Sequence, residues 1–398
     1  MRYLKRPCPV CDSVESKTLY QQHFSQMSSG SSLAGYDVVV CRSCGFGFAS
    51  NIPDQTVFDA YYREMSKYEH QGRLGQVSEY DLARFQATAS ILKTFLLDSR
   101  TRILEIGCAT GTLLSLLKES GYENVLGVDP SPVCAETARR LYGIRVLTST
   151  LSEMTFPNES FDFLILVGVL EHVCDLGTAL SRLWNILSSD GRIYIAVPDA
   201  SRYAEGEDAP FQEFSVEHIN FFGPVSLTNL MARHGFRQIF CQQGLFQVNY
   251  RTTTPVIHAI YEKDTLTFSG ASFTPEVQTE PGLIAYIDHS RQVDDHIRKV
   301  IDEIASSGKP IIVWGAGTHT LRLLATSRLA EANIVAFVDS NPHYQGKQLK
   351  GIPIISPADV KGRSEPILIS SRVFQQEIER QIRDNLQLGN ELILLYQA

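Results

Sequence analysis

The sequence has no apolar run long enough to cross a bilayer. The longest, Phe163 to Leu170, is eight residues and stops at Glu171, against the roughly 20 that a spanning helix needs. The opening MRYLKRPCPVC carries charge with no apolar segment behind it, so no secretory leader is expected. Basic charge is also short: 36 Lys and Arg stand against 44 Asp and Glu, a formal net charge of −8. That balance argues against a nucleic-acid surface spread over the molecule. No repeat of solenoid period and no low-complexity tract is visible. With 43% apolar and 20% charged residues over 398 positions, the chain reads as an ordinary globular protein of two to four domains. The expectation is a cytoplasmic protein with neither a membrane nor a nucleic acid as partner.

Cysteine is unevenly placed. Of eight, four fall within the first 44 residues as Cys8-Pro-Val-Cys11 and Cys41-Arg-Ser-Cys44, and four are scattered singly. In the absence of an export signal, a metal site is a better reading than a disulfide framework. Each CxxC presents two thiolates at about 2.3 Å from one Zn²⁺, and two such turns close a tetrahedron. An all-cysteine set leaves no open position, so the expected Zn²⁺ is structural. Residues 1–80 hold eight Lys/Arg and eight Asp/Glu, a poor match for phosphate backbones.

Residues 51–98 read mainly as helix. From Arg100 onward, strand, glycine turn and helix alternate (RILEIG, LLSLLKESG, VLGVD, FDFLILVGVL, GRIYIAVP), which implies a parallel, doubly wound α/β sheet. The Thr- and Pro-rich stretch from Arg251 reads as a connector. A helix from about Ile284 to Ser306 and a second alternating unit (PIIVWGAG, IVAFVDSNP, PILISS) follow. The domains expected are 1–75, a zinc-binding unit with a helical extension; 76–250, an α/β core; and 251–398, a smaller Rossmann-like α/β domain.

Leu104-Glu105-Ile106-Gly107-Cys108-Ala109-Thr110-Gly111 lies between a strand and a helix, where glycine lets backbone approach a ligand. Asp129 ends the next strand, 22 residues after Gly107, in position to accept ribose hydroxyls. A dinucleotide fold and an S-adenosylmethionine fold both use this layout. Glu105, two residues before the first glycine, and GxAxG spacing in place of GxGxxG favour the latter.

With FPNESFD, VGVLEHV, DGRIYIAVP and LTNLMARHGF following in order, the chain resembles the class I S-adenosylmethionine-dependent methyltransferases from about Arg102 to Phe236. The resemblance implies a cofactor site built from Glu105, Gly107, Cys108, Ala109, Gly111, Asp129, Leu151 and Val167. In it Glu105 holds the amino group, Asp129 the ribose, and Leu151 lies against adenine. Over nearly its full length the chain is similar to the three-domain bacterial nucleotide-sugar C-methyltransferases, a resemblance that implies that the C-terminal domain, 251–398, is substrate-binding and helps to hold the nucleotide-linked sugar. The C-terminal likeness rests on VWGAGTHTLRLLA, VDSNPHYQGK and GIPIISPADV.

That second resemblance implies a nucleotide-linked keto-deoxysugar as substrate. His218 would be the base forming an enediolate before in-line methyl transfer, with Glu217 orienting it, His172 near the sugar and Tyr62 covering the site. Ser215 stands where the family often has tyrosine, so O- or N-methylation of a sugar or other small molecule stays open as an alternative. An RNA-modifying role is the more distant one. Gly315 and Gly317, with Thr318, Thr320 and Asp339, are either a nucleotide-diphosphate cradle or packing glycines. His319 and His343 are expected at the surface.

Overall fold

A computed structural model describes residues 5–27, 33–64, 77–264 and 273–396, the side chains of 61–64 excepted. The first 50 residues build an antiparallel sheet: β1 (Ser16–His23), β2 (Gly35–Cys41) and β3 (Gly47–Ser50). Strand β1 is largely exposed, β2 and β3 are largely buried, and Val38, Val39 and Val40 supply the β-branched residues that fit a pleated surface. Helix α1 (Gln55–Glu64) follows, then α2 (Glu79–Lys93), whose start is fixed by Ser78 accepting from the Asp81 N–H.

The central domain contains β4 (Ile103–Ile106), α3 (Thr112–Glu119), β5 (Val125–Asp129), α4 (Pro132–Tyr142), β6 (Val146–Thr148), β7 (Phe161–Val167), α5 (Leu176–Ile186) and β8 (Leu187–Pro198). After these come β9 (Asn220–Phe221), α6 (Pro224–Arg233), β10 (Phe236–Asn249) and β11 (Thr252–Lys263). Seven of the strands form one sheet in the order β10-β11-β8-β7-β4-β5-β6, parallel except for β10 and β11. Strand order reverses between β5 and β7 on either side of β4, which is where a doubly wound sheet opens its ligand crevice.

The stretch from Arg251 is therefore no connector, since Thr252–Lys263 is an internal strand. Its threonines are strand formers. Pro255 is tolerated because pairing with β8 begins only at Val256. The small strand β9 leaves this sheet and extends the N-terminal one, with Gly47 opposite Phe221 and Phe48 opposite Asn220.

Helix α7 (Thr279–Ser307) leads into β12 (Ile311–Trp314), α8 (Thr318–Thr326), β13 (Ile334–Val338), β14 (Gln348–Leu349), β15 (Ile352–Ile355), β16 (Ile367–Ile369), α9 (Gln375–Arg380) and β17 (Leu392–Leu394). The sheet order is β14-β15-β13-β12-β16-β17. A buried ion pair fastens α7 to α8: Asp294 accepts from Arg322 at 2.5 Å and from Arg298 at 2.8 Å. His319, expected at the surface, is buried instead, its Nε2 2.8 Å from the Tyr396 hydroxyl. It is the second residue of an amphipathic helix whose inner face carries it inward, and desolvation lowers its pKa to about 3, so it stays neutral. No helix among the described residues is long and apolar enough to cross a membrane.

Candidate active site

The turn from β4 to α3 is made by residues at positive φ: Gly107 at +71°, Ala109 at +46° and Gly111 at +77°. A Cβ on Gly107 would stand 2.8 Å from Val169 Cγ2, so the loop admits only glycine there. Asp129, at the end of β5, holds this loop in shape. Its Oδ2 accepts from the Ala109 N–H at 2.8 Å and its Oδ1 from the Ser131 N–H at 2.9 Å.

Glu105 is 3% exposed and its Oε2 has no hydrogen-bond partner. Burial, and then the charge of Asp129, push its pKa up to about 8. A buried acceptor without a donor, beside a loop that bares its backbone, fits a ligand bringing an ammonium group and ribose hydroxyls. The Cys108 side chain packs under β5, where a Cβ on Gly127 would lie 2.4 Å from its Sγ, so only its backbone faces the crevice. Leu151 and Val167 are half-buried. Thr150 bonds Ser152 (2.7 Å), and Ser152 donates to Asp59 Oδ2 of α1 (2.8 Å). Gln55 of the same helix accepts from the Cys174 N–H (2.8 Å). Helix α1 thus spans the crevice. Tyr62 lies on it, but its side chain falls outside the described residues.

The two Glu-His pairs, 46 residues apart in sequence, meet. Leu170–His172 is a single 3₁₀ turn after β7, and the Ile219 N–H donates to the Glu171 carbonyl at 2.8 Å. The His172 Nδ1–H donates to the Glu217 carbonyl (3.0 Å), and the two imidazole centroids are 5.0 Å apart. Glu171, His172 and His218 offer atoms all within 4.8 Å of one another. Ser215 accepts from the Glu217 and His218 amides (3.2 and 3.1 Å), which fixes the turn carrying the second pair.

Three participants gave no local signal in the sequence. Arg6 crosses from the N-terminal domain and donates to the Cys174 carbonyl (2.9 Å), the Ile219 carbonyl (3.2 Å) and Asn220 Oδ1 (2.8 Å). Asn220 donates in turn to the Leu170 and Val173 carbonyls at 2.7 and 2.8 Å. Buried Glu213 places Oε2 3.6 Å from His218 Nδ1. Burial opposes charging of the His218 ring, yet Glu213, with Glu171 and Glu217 nearby, outweighs it and raises the pKa above the ordinary 6.5. The carboxylate facing His218 is thus that of Glu213, while Glu217 supplies its carbonyl to His172.

The four paired cysteines converge. Sγ of Cys8 is 3.6 Å from that of Cys44, Sγ of Cys11 is 3.5 Å from that of Cys41, and all four lie within 4.8 Å. In the C-terminal domain Asp339 repeats the role of Asp129, its Oδ2 accepting from Ala316 N–H and its Oδ1 from Asn341 N–H, both at 2.8 Å. Thr320 spends its hydroxyl internally, on the Gly315 carbonyl (2.7 Å) and Ser370 (2.8 Å).

Residues 80–239 match the family model described as "Methyltransferase domain", and residues 307–394 that described as "C2185-like, N-terminal". A Mycobacterium tuberculosis protein named a probable S-adenosylmethionine-dependent methyltransferase is 24% identical over 222 residues, 52% of this chain and 77% of that protein. A ubiquinone biosynthesis O-methyltransferase of Azorhizobium caulinodans is 33% identical over 129 residues, 31% of this chain and 49% of that protein. Among solved structures, the Burkholderia thailandensis 1,6-didemethyltoxoflavin-N1-methyltransferase aligns with TM-score 0.42 and 20% identity, covering 55% of this chain and 96% of that one. A Methanosarcina mazei S-adenosylmethionine-dependent methyltransferase aligns at 0.38 and 17%, covering 44% and 97%. The central domain is a class I S-adenosylmethionine-dependent methyltransferase domain, and the protein is an S-adenosylmethionine-dependent methyltransferase.

Proposed function

We propose that this methyltransferase alkylates a carbon of a nucleotide-linked keto-deoxysugar, with His218 as the base. The supporting observation is the enclosed pair of histidines, backed by Glu213 and Glu171, beside the crevice where the cofactor loop opens. S-adenosylmethionine, when bound, supplies an electrophilic methyl group on a sulfonium. Glu105 would hold its ammonium, Asp129 its ribose, and the backbone of Gly107 to Gly111 would line its path.

With Glu213 Oε2 3.6 Å from Nδ1, the tautomer that carries its proton on Nδ1 would leave the lone pair of neutral His218 on Nε2. That nitrogen takes the proton from the carbon beside the ketone, and the electron pair of the broken C–H bond moves toward the ketone oxygen. Glu213 stabilises the imidazolium that results. His172, with Nδ1–H committed to the Glu217 carbonyl and Nε2 3.9 Å from Glu171 Oε1, would lie beside the sugar.

Proton exchange tests this reading. Enzyme and keto-sugar in D₂O should exchange the hydrogen on the reacting carbon, and His218→Asn should abolish exchange. A product methylated only at oxygen or nitrogen, without exchange, would reject it. O-methyl transfer is the second reading, because relatives are named O-methyltransferases and the same base would deprotonate a hydroxyl.

The four cysteines would hold structural Zn²⁺. At about 2.3 Å per Zn–S bond, tetrahedral geometry puts sulfurs roughly 3.8 Å apart, close to the 3.5 and 3.6 Å found here. Metal content near zero in protein purified without chelator would reject it.

A further inference from the structure

Proton abstraction needs one imidazole and one carboxylate to orient it, which His218 and Glu213 supply. The crevice holds more than that. Glu171, 2% exposed, and His172 stand with His218, and the three offer ligand atoms all within 4.8 Å of one another. They come from two turns fixed against each other, Leu170–His172 and the turn held by the Ser215 hydroxyl, with the Ile219 N–H donating to the Glu171 carbonyl at 2.8 Å. His172 has one ring nitrogen committed: Nδ1 is 3.0 Å from the Glu217 carbonyl, while Nε2 lies 3.9 Å from Glu171 Oε1. A backbone carbonyl on one nitrogen of a histidine is how metal sites orient the other nitrogen as a ligand. The His218 ring is backed by a carboxylate, Glu213 Oε2 at 3.6 Å. Arg6, which braces the two turns, spends its guanidinium on the carbonyls of 174 and 219 and on Asn220, so the acids around His218 are left for another cation to neutralise.

Two imidazoles and one carboxylate are a donor set that first-row divalent ions take, with positions left open for water or substrate. Ligands about 2.1 Å from a shared ion stand roughly 3 to 3.5 Å apart. The 3.9 Å between His172 Nε2 and Glu171 Oε1 is close to that spacing. We propose that Glu171, His172 and His218 bind a divalent transition-metal ion, a second one beside that assigned to the four cysteines, and that the bound ion holds the enzyme inactive. A neutral imidazole has a single lone pair, whichever nitrogen carries it. Once that pair is on a metal it cannot take a proton from carbon. The site stands on the three side chains alone, whereas the block rests on the reading of His218 as the base.

Co²⁺ tells the two sites apart. Added to the full chain with Zn²⁺ already on its cysteines, Co²⁺ should bind in a one-to-one ratio. Its absorption should show weak ligand-field bands, without the intense sulfur-to-metal charge transfer that thiolate ligands give. Glu171→Gln and His172→Ala should each weaken this binding by at least about 100-fold, since losing even a group that only supports a ligand costs about 10- to 100-fold. S-adenosylhomocysteine binding by both variants shows that they fold. Saturating Co²⁺ should stop exchange of the keto-sugar hydrogen in D₂O, and removing the ion should restore it. No Co²⁺ bound, or binding equally tight in both variants, would overturn the site and leave His218 as the base to stand on the exchange test. Exchange at the full rate with Co²⁺ bound would overturn the block, and with it the assignment of the base to His218.

Discussion

With its pKa pushed to about 8, the Glu105 carboxyl is largely protonated at neutral pH until a cation arrives. An ammonium group placed against it favours the carboxylate, so cofactor binding at pH 7 should expel a proton. Calorimetry in buffers of different ionisation enthalpy would read that proton directly. Affinity should rise between pH 6 and 8, as less work is needed to ionise Glu105, and Glu105→Gln should lose both the proton release and about tenfold or more in affinity. At His218 pH acts in the same direction. A base must be neutral to act, and Glu213, Glu171 and Glu217 hold this imidazole's pKa above its ordinary value. Activity should therefore fall as pH drops through that raised pKa. Glu213→Gln removes the nearest carboxylate and should move the acid limb of kcat/KM to lower pH, whereas a merely structural loss would lower the profile without shifting it. His218→Asn should cost about 10²- to 10⁴-fold in kcat, the usual range for a general base.

At the scale of elements, two short turns must be held against each other, and Arg6 does this from a third domain. Its guanidinium joins carbonyls of 174 and 219 and the side chain of Asn220. Arg6→Ala leaves those acceptors without their donor and should cost about 1–3 kcal/mol. It should lower kcat while leaving S-adenosylmethionine affinity intact, because β4 and β5 do not touch it. Arg6→Lys should rescue poorly, as one ammonium cannot reproduce a planar fork. What could be read from the sequence follows from range. The Glu105 to Gly111 turn and the CxxC pairs are contiguous, so their chemistry is written within a few residues. Glu213 and Arg6 act only once β9 has joined the N-terminal sheet, and neither has any pattern around it. Thr252–Lys263 is hidden in the sequence for another reason: the threonines and Pro255 that signal a loop in isolation are compatible with a strand flanked on both sides.

The proposed zinc site concerns the whole molecule, because the cysteine turns are not a separate knob. Gly45 sits so tightly on the chain leading into α7 that a Cβ would fall 2.0 Å from the Glu276 carbonyl. The Glu276 N–H donates to the Cys44 carbonyl (2.9 Å), and its carboxylate accepts from the Val225 and Ser226 amides at the start of α6 (3.2 Å each). The N-terminal sheet also touches the C-terminal domain, the Ser25 N–H donating to the Leu321 carbonyl at 2.9 Å. Between these contacts runs β3, whose pairing with β9 begins two residues after His218. Loss of metal would leave four thiols in contact with nothing to neutralise their ionised forms, and the turn between β2 and β3 would loosen first. Zinc extraction, or Cys8→Ser, should lower the melting temperature by more than about 5 °C and reduce methyl transfer through the position of His218. The cofactor loop is anchored in β4 and β5, on the other side of the central sheet from β10, and S-adenosylmethionine affinity should hold. A fall in cofactor affinity as large as the fall in kcat would show instead that the N-terminal sheet supports the entire crevice, and that its place beside His218 has no special part in the reaction.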